Sequence, residues 1–337
     1  MRSRPEVRLD FPFTENDTLE VRARIEGDLS YVAYRAHAAD RHLVALVLTG
    51  GFSRGEGTTR YGVPVNDYDL IAVRSRPGGG RIYRDLAPKL MEEIGLEVDV
   101  MPIWQRRLPY VGRKLFWLDV RLGARVISGP PDILAPLRRY EAREVTRAEI
   151  ARLLGNRAAG MLLSLPADNE PPDLHQRDLQ ATKAVLAAMD ASLLHEGKYA
   201  PRMRERLALS RDHPYHALFA TAVEWKLSQS HPLPPNWWER ARDALLHAVE
   251  ATGARDVRDG LVEHALHAVR ARRIAYSPSQ AVRRVAWDLL SLSTYPQGPA
   301  DIPLATRAVR PLERRQMGTT WSALKRGFFA ARARTLQ

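Results

Sequence analysis

The hydrophobic rhythm of the chain changes near residue 144. Before that point short unbroken apolar runs alternate with helical segments, and after it apolar residues recur every three or four positions through residue 272. The spacing of Leu19, Val21, Ile25, Leu29, Val32 and Ala36 predicts a leading helix over 14–40, with Thr14, Asn16 and Asp17 as candidate caps. Residues 43–49 form a continuous apolar run of the kind found in buried strands, and 68–73 and 96–103 are predicted as the next two strands. Between the first two lies a polar, glycine-rich loop over 50–64. Pro77-Gly78-Gly79-Gly80 breaks the chain before a predicted helix over 82–94, which carries Leu86, Leu90, Met91 and Ile94 on one side and Gly95 as its C-cap. A strand pair is predicted at 115–120 and 124–127, ahead of Gly129-Pro130-Pro131.

From 144 onward helices are predicted over 144–165, 174–196, 202–210, 213–229, 235–252 and 257–272, several of them separated by proline clusters. Residues 276–337 hold a Pro/Gly-rich bend near 296–303 and a basic terminal helix, in which Trp321, Leu324, Phe328 and Phe329 are expected to dock on the body of the protein. The fold class expected is α+β: a small mixed-sheet domain over 1–143, an all-helical domain over 144–275, and a helical extension over 276–337.

Composition narrows the setting. The 337 residues suffice for two cores, and the absence of cysteine removes both a disulfide framework and thiolate metal sites. No apolar leader opens the chain and no apolar run reaches 18 residues, so a soluble, cytoplasmic protein with no membrane partner is expected. The net charge of +12 suits a polyanionic partner: RNA, DNA or a triphosphate-bearing substrate. Most of that charge is arginine, scattered along the chain, as a GC-rich coding bias would also produce, and both readings stay open.

The chemistry concentrates between Leu46 and Val73, LVLTGGFSRGEGTTRYGVPVNDYDLIAV. In a strand, residues i and i+2 share a face, so Asp67 and Asp69 project together and away from Tyr68 and Leu70. Adjacent carboxylates repel unless cations lie between them, and Mg²⁺, or Mn²⁺ in its place, accepts carboxylate and phosphate oxygens. Asp99, in the apolar run LEVDVMPI, is the third candidate ligand. Two ions about 3.5–4 Å apart would steady the attacking and leaving oxygens of an in-line displacement. Gly50 and Gly51 let backbone N–H groups approach phosphate oxygens, with Ser53 and Arg54 adding a hydroxyl and a charge. Glu56 is expected to support the loop through Arg54 or Arg60.

An apolar strand, Gly50-Gly51, Arg54-Gly55-Glu56, Asp67-x-Asp69 and Asp99 between Val98 and Val100 together resemble the DNA polymerase β-like nucleotidyltransferase superfamily over residues 30–105. Gly51 departs from the serine of many members. The resemblance implies a nucleotidyltransferase domain, Mg²⁺, and ATP or another NTP as donor. The helical region is similar to those of aminoglycoside nucleotidyltransferases and poly(A)- or CCA-adding relatives, which implies a Lys and a Tyr on the triphosphate. The candidates are Lys183, Lys198 and Tyr199. The expected activity is Mg²⁺-dependent transfer of a nucleoside monophosphate, AMP from ATP, to a hydroxyl of a small molecule or protein. The alternatives are an RNA end as acceptor, or a non-catalytic nucleotide- or nucleic-acid-binding regulator such as a toxin–antitoxin component. The oligomeric state is left open. Asn156 and Arg157 interrupt an apolar helix, as residues facing a cleft or capping backbone would. Trp237-Trp238 reads as helix-start packing. The pairs His213/His216 and His264/His267 lack the further ligands zinc needs.

Overall fold

The computed structural model describes residues 10–167, 170–229, 231–256, 278–295, 297–300, 302–309 and 320–336. In chain order the elements are α1 (Leu19–Ala39), β1 (Leu43–Leu48), α2 (Gly50–Ser53), β2 (Thr59–Arg60), β3 (Val63–Pro64), β4 (Tyr68–Arg74), α3 (Gly80–Ile94), β5 (Val98–Trp104), α4 (Leu115–Gly123) and β6 (Arg125–Ser128). Then follow α5 (Arg147–Ser164), α6 (Leu174–His195), α7 (Met203–Leu209), α8 (His216–Ser228), α9 (Trp237–Ala251), α10 (Pro278–Leu292), β7 (Ser293–Thr294), β8 (Gly298–Pro299), α11 (Ile302–Val309) and α12 (Trp321–Leu336). The fold is α+β, a small mixed sheet joined to a largely helical region. The chain divides into two compact units. The first holds the chain up to Glu144 together with Ala200–Glu205 and Glu224–His231, and the second holds Val145–Tyr199, Arg206–Val223 and the chain from Pro232 on.

In the first unit four strands pair in the order β5-β4-β1-β6. β4 and β5 run parallel, as the α3 crossover between them requires, and β1 is antiparallel to both β4 and β6. The even-numbered residues of the sheet (Leu46, Leu48, Tyr68, Leu70, Val98 and Val100) face a core completed by Val21, Ile25, Leu29 and Val32 of α1 and by Tyr83, Leu86, Leu90 and Ile94 of α3. Ala45, Val47, Ile71 and Val73 are buried as well, so the two central strands are apolar on both faces over Leu43–Leu48 and Leu70–Val73. Gly95 ends α3 with φ +77°, a left-handed cap that a residue with a Cβ adopts only at a cost.

Two expectations are corrected. The leading helix is capped by Thr18, whose side chain accepts from the Val21 N–H, and not by Thr14, Asn16 or Asp17. Asp17 instead accepts from the Phe13 N–H at 3.2 Å and from Arg22, so the carboxylate shapes the approach to the helix, and Leu19 is exposed. The segment predicted as a strand over 115–120 is helix α4. Its Phe, Trp and Val favour strands in isolation, but Trp117, Val120 and Gly123 bury themselves at a helical spacing. The predicted polar stretch over 50–64 is filled by the short helix α2 and the β2–β3 hairpin, whose tip residues Tyr61 and Gly62 have φ +51° and +75°, the signs a type I′ turn demands.

In the second unit α6 packs against α5 and α9, and α10 packs on α5. The indole N–H groups of Trp237 and Trp238 donate to Thr182 Oγ1 and Ser164 Oγ, each at 3.2 Å, so this pair seats the start of α9 in the core. Trp321, Leu324 and Phe328 of α12 are buried, and the Trp321 indole donates to the Pro166 carbonyl at 3.0 Å. The helix predicted over 257–272, with His264 and His267, lies outside the described residues. Among the described residues no helix is long and apolar enough to cross a membrane.

The end of β4 is tied down by a buried ionic group. Asp40 accepts from Arg74 Nη2 at 3.0 Å and from the Tyr83 hydroxyl at 2.9 Å, and His42 adds a backbone N–H at 3.0 Å. Burial alone would raise the Asp40 carboxyl above its ordinary 3.8, but the bonds from Arg74, His42 and Tyr83 outweigh it and hold the group below that value. A carboxyl lowered on folding contributes stability that is complete above its unfolded value and is lost as pH falls through the folded one. Urea denaturation from pH 7 down to pH 2 is expected to show stability falling below about pH 4. Asp40→Ala should cost about 3–5 kcal/mol at pH 7, because it strands the Arg74 guanidinium in the interior, and should flatten that acid limb.

Candidate active site

Asp69 is half-exposed in a strand that is otherwise buried, and it stands at the second position of β4. Its neighbour Tyr68 points the other way, fully buried, and donates its hydroxyl to Asp28 of α1 at 3.0 Å. Burial, then the Asp28 charge, push the Tyr68 phenol well up from its ordinary value, so it remains a neutral donor. Fixing Tyr68 into the core thereby fixes the direction of Asp69 out of it.

Asp99 occupies the equivalent place in β5. The parallel ladder pairs Tyr68 with Val98, Asp69 with Asp99 and Leu70 with Val100. Residues paired in a parallel ladder share a face, and neighbouring strands lie ~4.8 Å apart, so the Asp69 and Asp99 carboxylates project side by side from the face opposite the α1–α3 core. Asp99 is exposed between two buried valines. Asp67, also exposed, lies on the stretch that leads into β4. Among the described residues no three His, Cys, Asp or Glu side chains stand close enough together to hold a metal ion by themselves.

The glycine turn abuts this pair. Thr49 donates both its backbone N–H, at 2.8 Å, and its hydroxyl, at 3.1 Å, to the Asp69 carbonyl, closing the end of β1 onto the start of β4. The next residue, Gly50, has φ +70°, and a Cβ placed on it would lie 2.3 Å from Asp69 Oδ2. A residue with a Cβ would be strained there by the backbone conformation and would have to displace the Asp69 carboxylate. The role of Thr49 was not foreseen in the sequence, although a threonine directly before a diglycine was the available signal.

Ser53 and Arg54 are turned to structural work. Ser53 is buried and donates its hydroxyl to the Gly50 carbonyl at 3.0 Å, stapling the single turn of α2. Arg54 Nε lies 3.3 Å from Glu56 Oε2, and the other oxygen of that buried carboxylate accepts from the Met203 N–H. Thr58 donates to the Lys226 carbonyl at 2.7 Å and takes Asn66 Oδ1 on its N–H, which anchors the β2–β3 hairpin. Lys183, Lys198 and Tyr199 belong to the second unit: Lys183 is half-buried on α6, Lys198 pairs with Glu196 at 2.9 Å, and the Arg206 guanidinium donates to the Tyr199 hydroxyl and lies over its ring. His213 Nδ1 accepts from the Tyr215 N–H at 3.2 Å, and His216 Nδ1 meets the Ser210 hydroxyl at 3.3 Å.

No protein-family profile matches the chain, and no curated protein matches it in sequence. Among solved structures it is similar to spectinomycin adenyltransferase AAD(9) from Enterococcus faecialis, crystallised with ATP and spectinomycin. The two are 13% identical, the alignment covers 67% of this chain and 98% of that one, and the TM-score is 0.45.

The contact between Gly50 and Asp69 can be measured. Gly50→Ala is expected to cost at least about 1–2 kcal/mol for the left-handed backbone, plus a steric component from the carboxylate. In an Asp69→Ala background the steric part should vanish and the backbone part remain. A double-mutant cycle by urea denaturation reads the difference, and a cycle with no coupling would show the two residues do not touch.

Proposed function

We propose that the chain is a nucleotidyltransferase that moves a nucleoside monophosphate, AMP from ATP, onto a hydroxyl of a small-molecule or protein acceptor. The observation that carries this reading is the in-register placement of Asp69 and Asp99 on one face of the parallel β4–β5 pair, beside a glycine turn whose Gly50 packs directly against Asp69.

The donor set suits Mg²⁺. This ion takes one or two carboxylates and completes its shell with water and substrate phosphates, so a pair of acids on adjacent strands is sufficient and a closed three-acid cage is unnecessary. Asp69 and Asp99 would hold one ion between them, and Asp67 with Asp69 a second. The bound ions supply charge neutralisation for the triphosphate. The residues do the rest. Gly50 and Gly51 keep the approach to the phosphates open, Ser53 and the Arg54–Glu56 pair hold α2 in place, and Asp99 draws the proton from the acceptor hydroxyl. The acceptor oxygen then bonds to the α-phosphorus as the bond to the bridging oxygen of the β-phosphate breaks, and pyrophosphate leaves. Positioning and electrostatics provide the acceleration.

The test is pyrophosphate release from each labelled NTP with Mg²⁺ or Mn²⁺ and a panel of aminoglycosides, aminocyclitols and hydroxyl-bearing proteins. The wild type should release it in an acceptor-dependent manner, and Asp69→Asn and Asp99→Asn should lower the rate by about 10²–10³-fold, the scale of losing one transition-state stabiliser. Equal release by all three proteins would end the proposal.

A further inference from the structure

In the second unit, away from these carboxylates in sequence, a cavity of about 360 Å³ lies between α5, α6 and α12. Asn156, Arg157 and Leu163 of α5, Gln180 of α6, and Phe329 and Arg332 of α12 are on its wall. Its volume is at the lower end of the ~300–1,000 Å³ usual for small-molecule sites.

Arg157 is the unusual member. It interrupts a helix that otherwise buries Leu154, Gly155, Ala158 and Ala159, and its side chain is half-buried. Among the described residues it makes no hydrogen bond and no ion pair. The carboxylate whose charge reaches it, Asp190, is held by Arg206 Nε at 3.2 Å. Burial lowers the Arg157 guanidinium from its ordinary value, and Asp190 offsets this only in part. A guanidinium with five donors that is partly withdrawn from water without an acceptor is costly, and an oxyanion supplied by a ligand would offset that cost.

The rest of the wall has matching chemistry. Arg332 brings a second guanidinium and steadies Asn156 by donating to Oδ1 at 3.4 Å. Gln180 extends its amide across the cavity to Gly160, where a Cβ would lie 2.4 Å from Gln180 Oε1. No acidic side chain is on the wall among the described residues, while Leu163 and Phe329 give it an apolar side. We infer that this cavity is a binding site for a small organic anion, with a phosphoryl or carboxyl group set against Arg157 and Arg332 and an apolar or aromatic group against Phe329 and Leu163. Planar guanidinium groups bind either oxyanion in a bidentate manner, so the shared chemistry is a terminal oxyanion on an apolar body.

The test uses the full chain without nucleotide or divalent cation, titrated by calorimetry with phenyl phosphate, benzoate and inorganic phosphate. Saturable binding of phenyl phosphate assigns a phosphoryl ligand, of benzoate a carboxyl ligand, and inorganic phosphate should bind more weakly than the better of the two. Arg157→Met should weaken that ligand at least tenfold while melting no lower than the wild type, since a desolvated charge is removed. Arg332→Ala should weaken it several-fold, and Asp69→Ala should leave it unchanged, which separates this site from the proposed transferase chemistry. If Arg157→Met does not fold, Gln180→Ala and Arg332→Ala provide the same comparison. The inference is overturned if the wild type binds neither organic probe, or if the variants bind as the wild type does.

Discussion

The parallel pairing of β4 with β5 is the constraint on which the proposed chemistry depends. A parallel ladder sets side chains of equal register on one face, and the chain places an acid at equal register in each strand. Had β5 slipped by a single residue, Asp99 would have turned into the α1–α3 core and Val98 or Val100 would have faced water. The register is therefore enforced by burial: Val98 and Val100 are inside because Asp99 is outside, and Tyr68 and Leu70 make the same demand on β4. Stability and function ask for the same alignment here, and neither needs to be sacrificed for the other.

Around this pair the first unit uses polar side chains in two ways. Asp28 and Asp40 receive tyrosine hydroxyls, from Tyr68 and Tyr83, and lock strands and helices to one another within the interior. Glu56 receives an arginine and a backbone N–H and fixes a loop. These carboxylates are buried, whereas Asp69 is half-exposed and Asp99 exposed on the other face of the sheet. Acids buried in the interior and solvent-accessible acids in matched register are different physical objects, and the second kind is the one a cation brought in with substrate could reach.

Much of this unit was legible in the sequence, because strand alternation and apolar continuity are local signals. The two faces of β4 followed from Asp67, Tyr68 and Asp69 alone, and the end of α3 from Gly95. The interruption of α5 by Asn156 and Arg157 was visible too, although which of two meanings it carried was not. What could not be read depended on distant partners. Nothing near Leu115 tells the chain that Trp117 and Val120 will find a helix more favourable than a strand. Nothing near Ser53 reveals that its hydroxyl folds back on Gly50. The register between Asp69 and Asp99 joins residues thirty positions apart and is set by the packing of the crossover helix against the sheet.

The buried Glu56 carboxylate and the Thr58 hydroxyl take their partners, Met203 and Lys226, from stretches of chain more than a hundred residues downstream, and the first unit is for that reason discontinuous. Its hydrogen-bonding demands cannot be met by the N-terminal portion alone. During synthesis the glycine loop must wait until the ribosome has delivered residue 226, so the first unit completes itself only after α5, α6 and α7 have already been made.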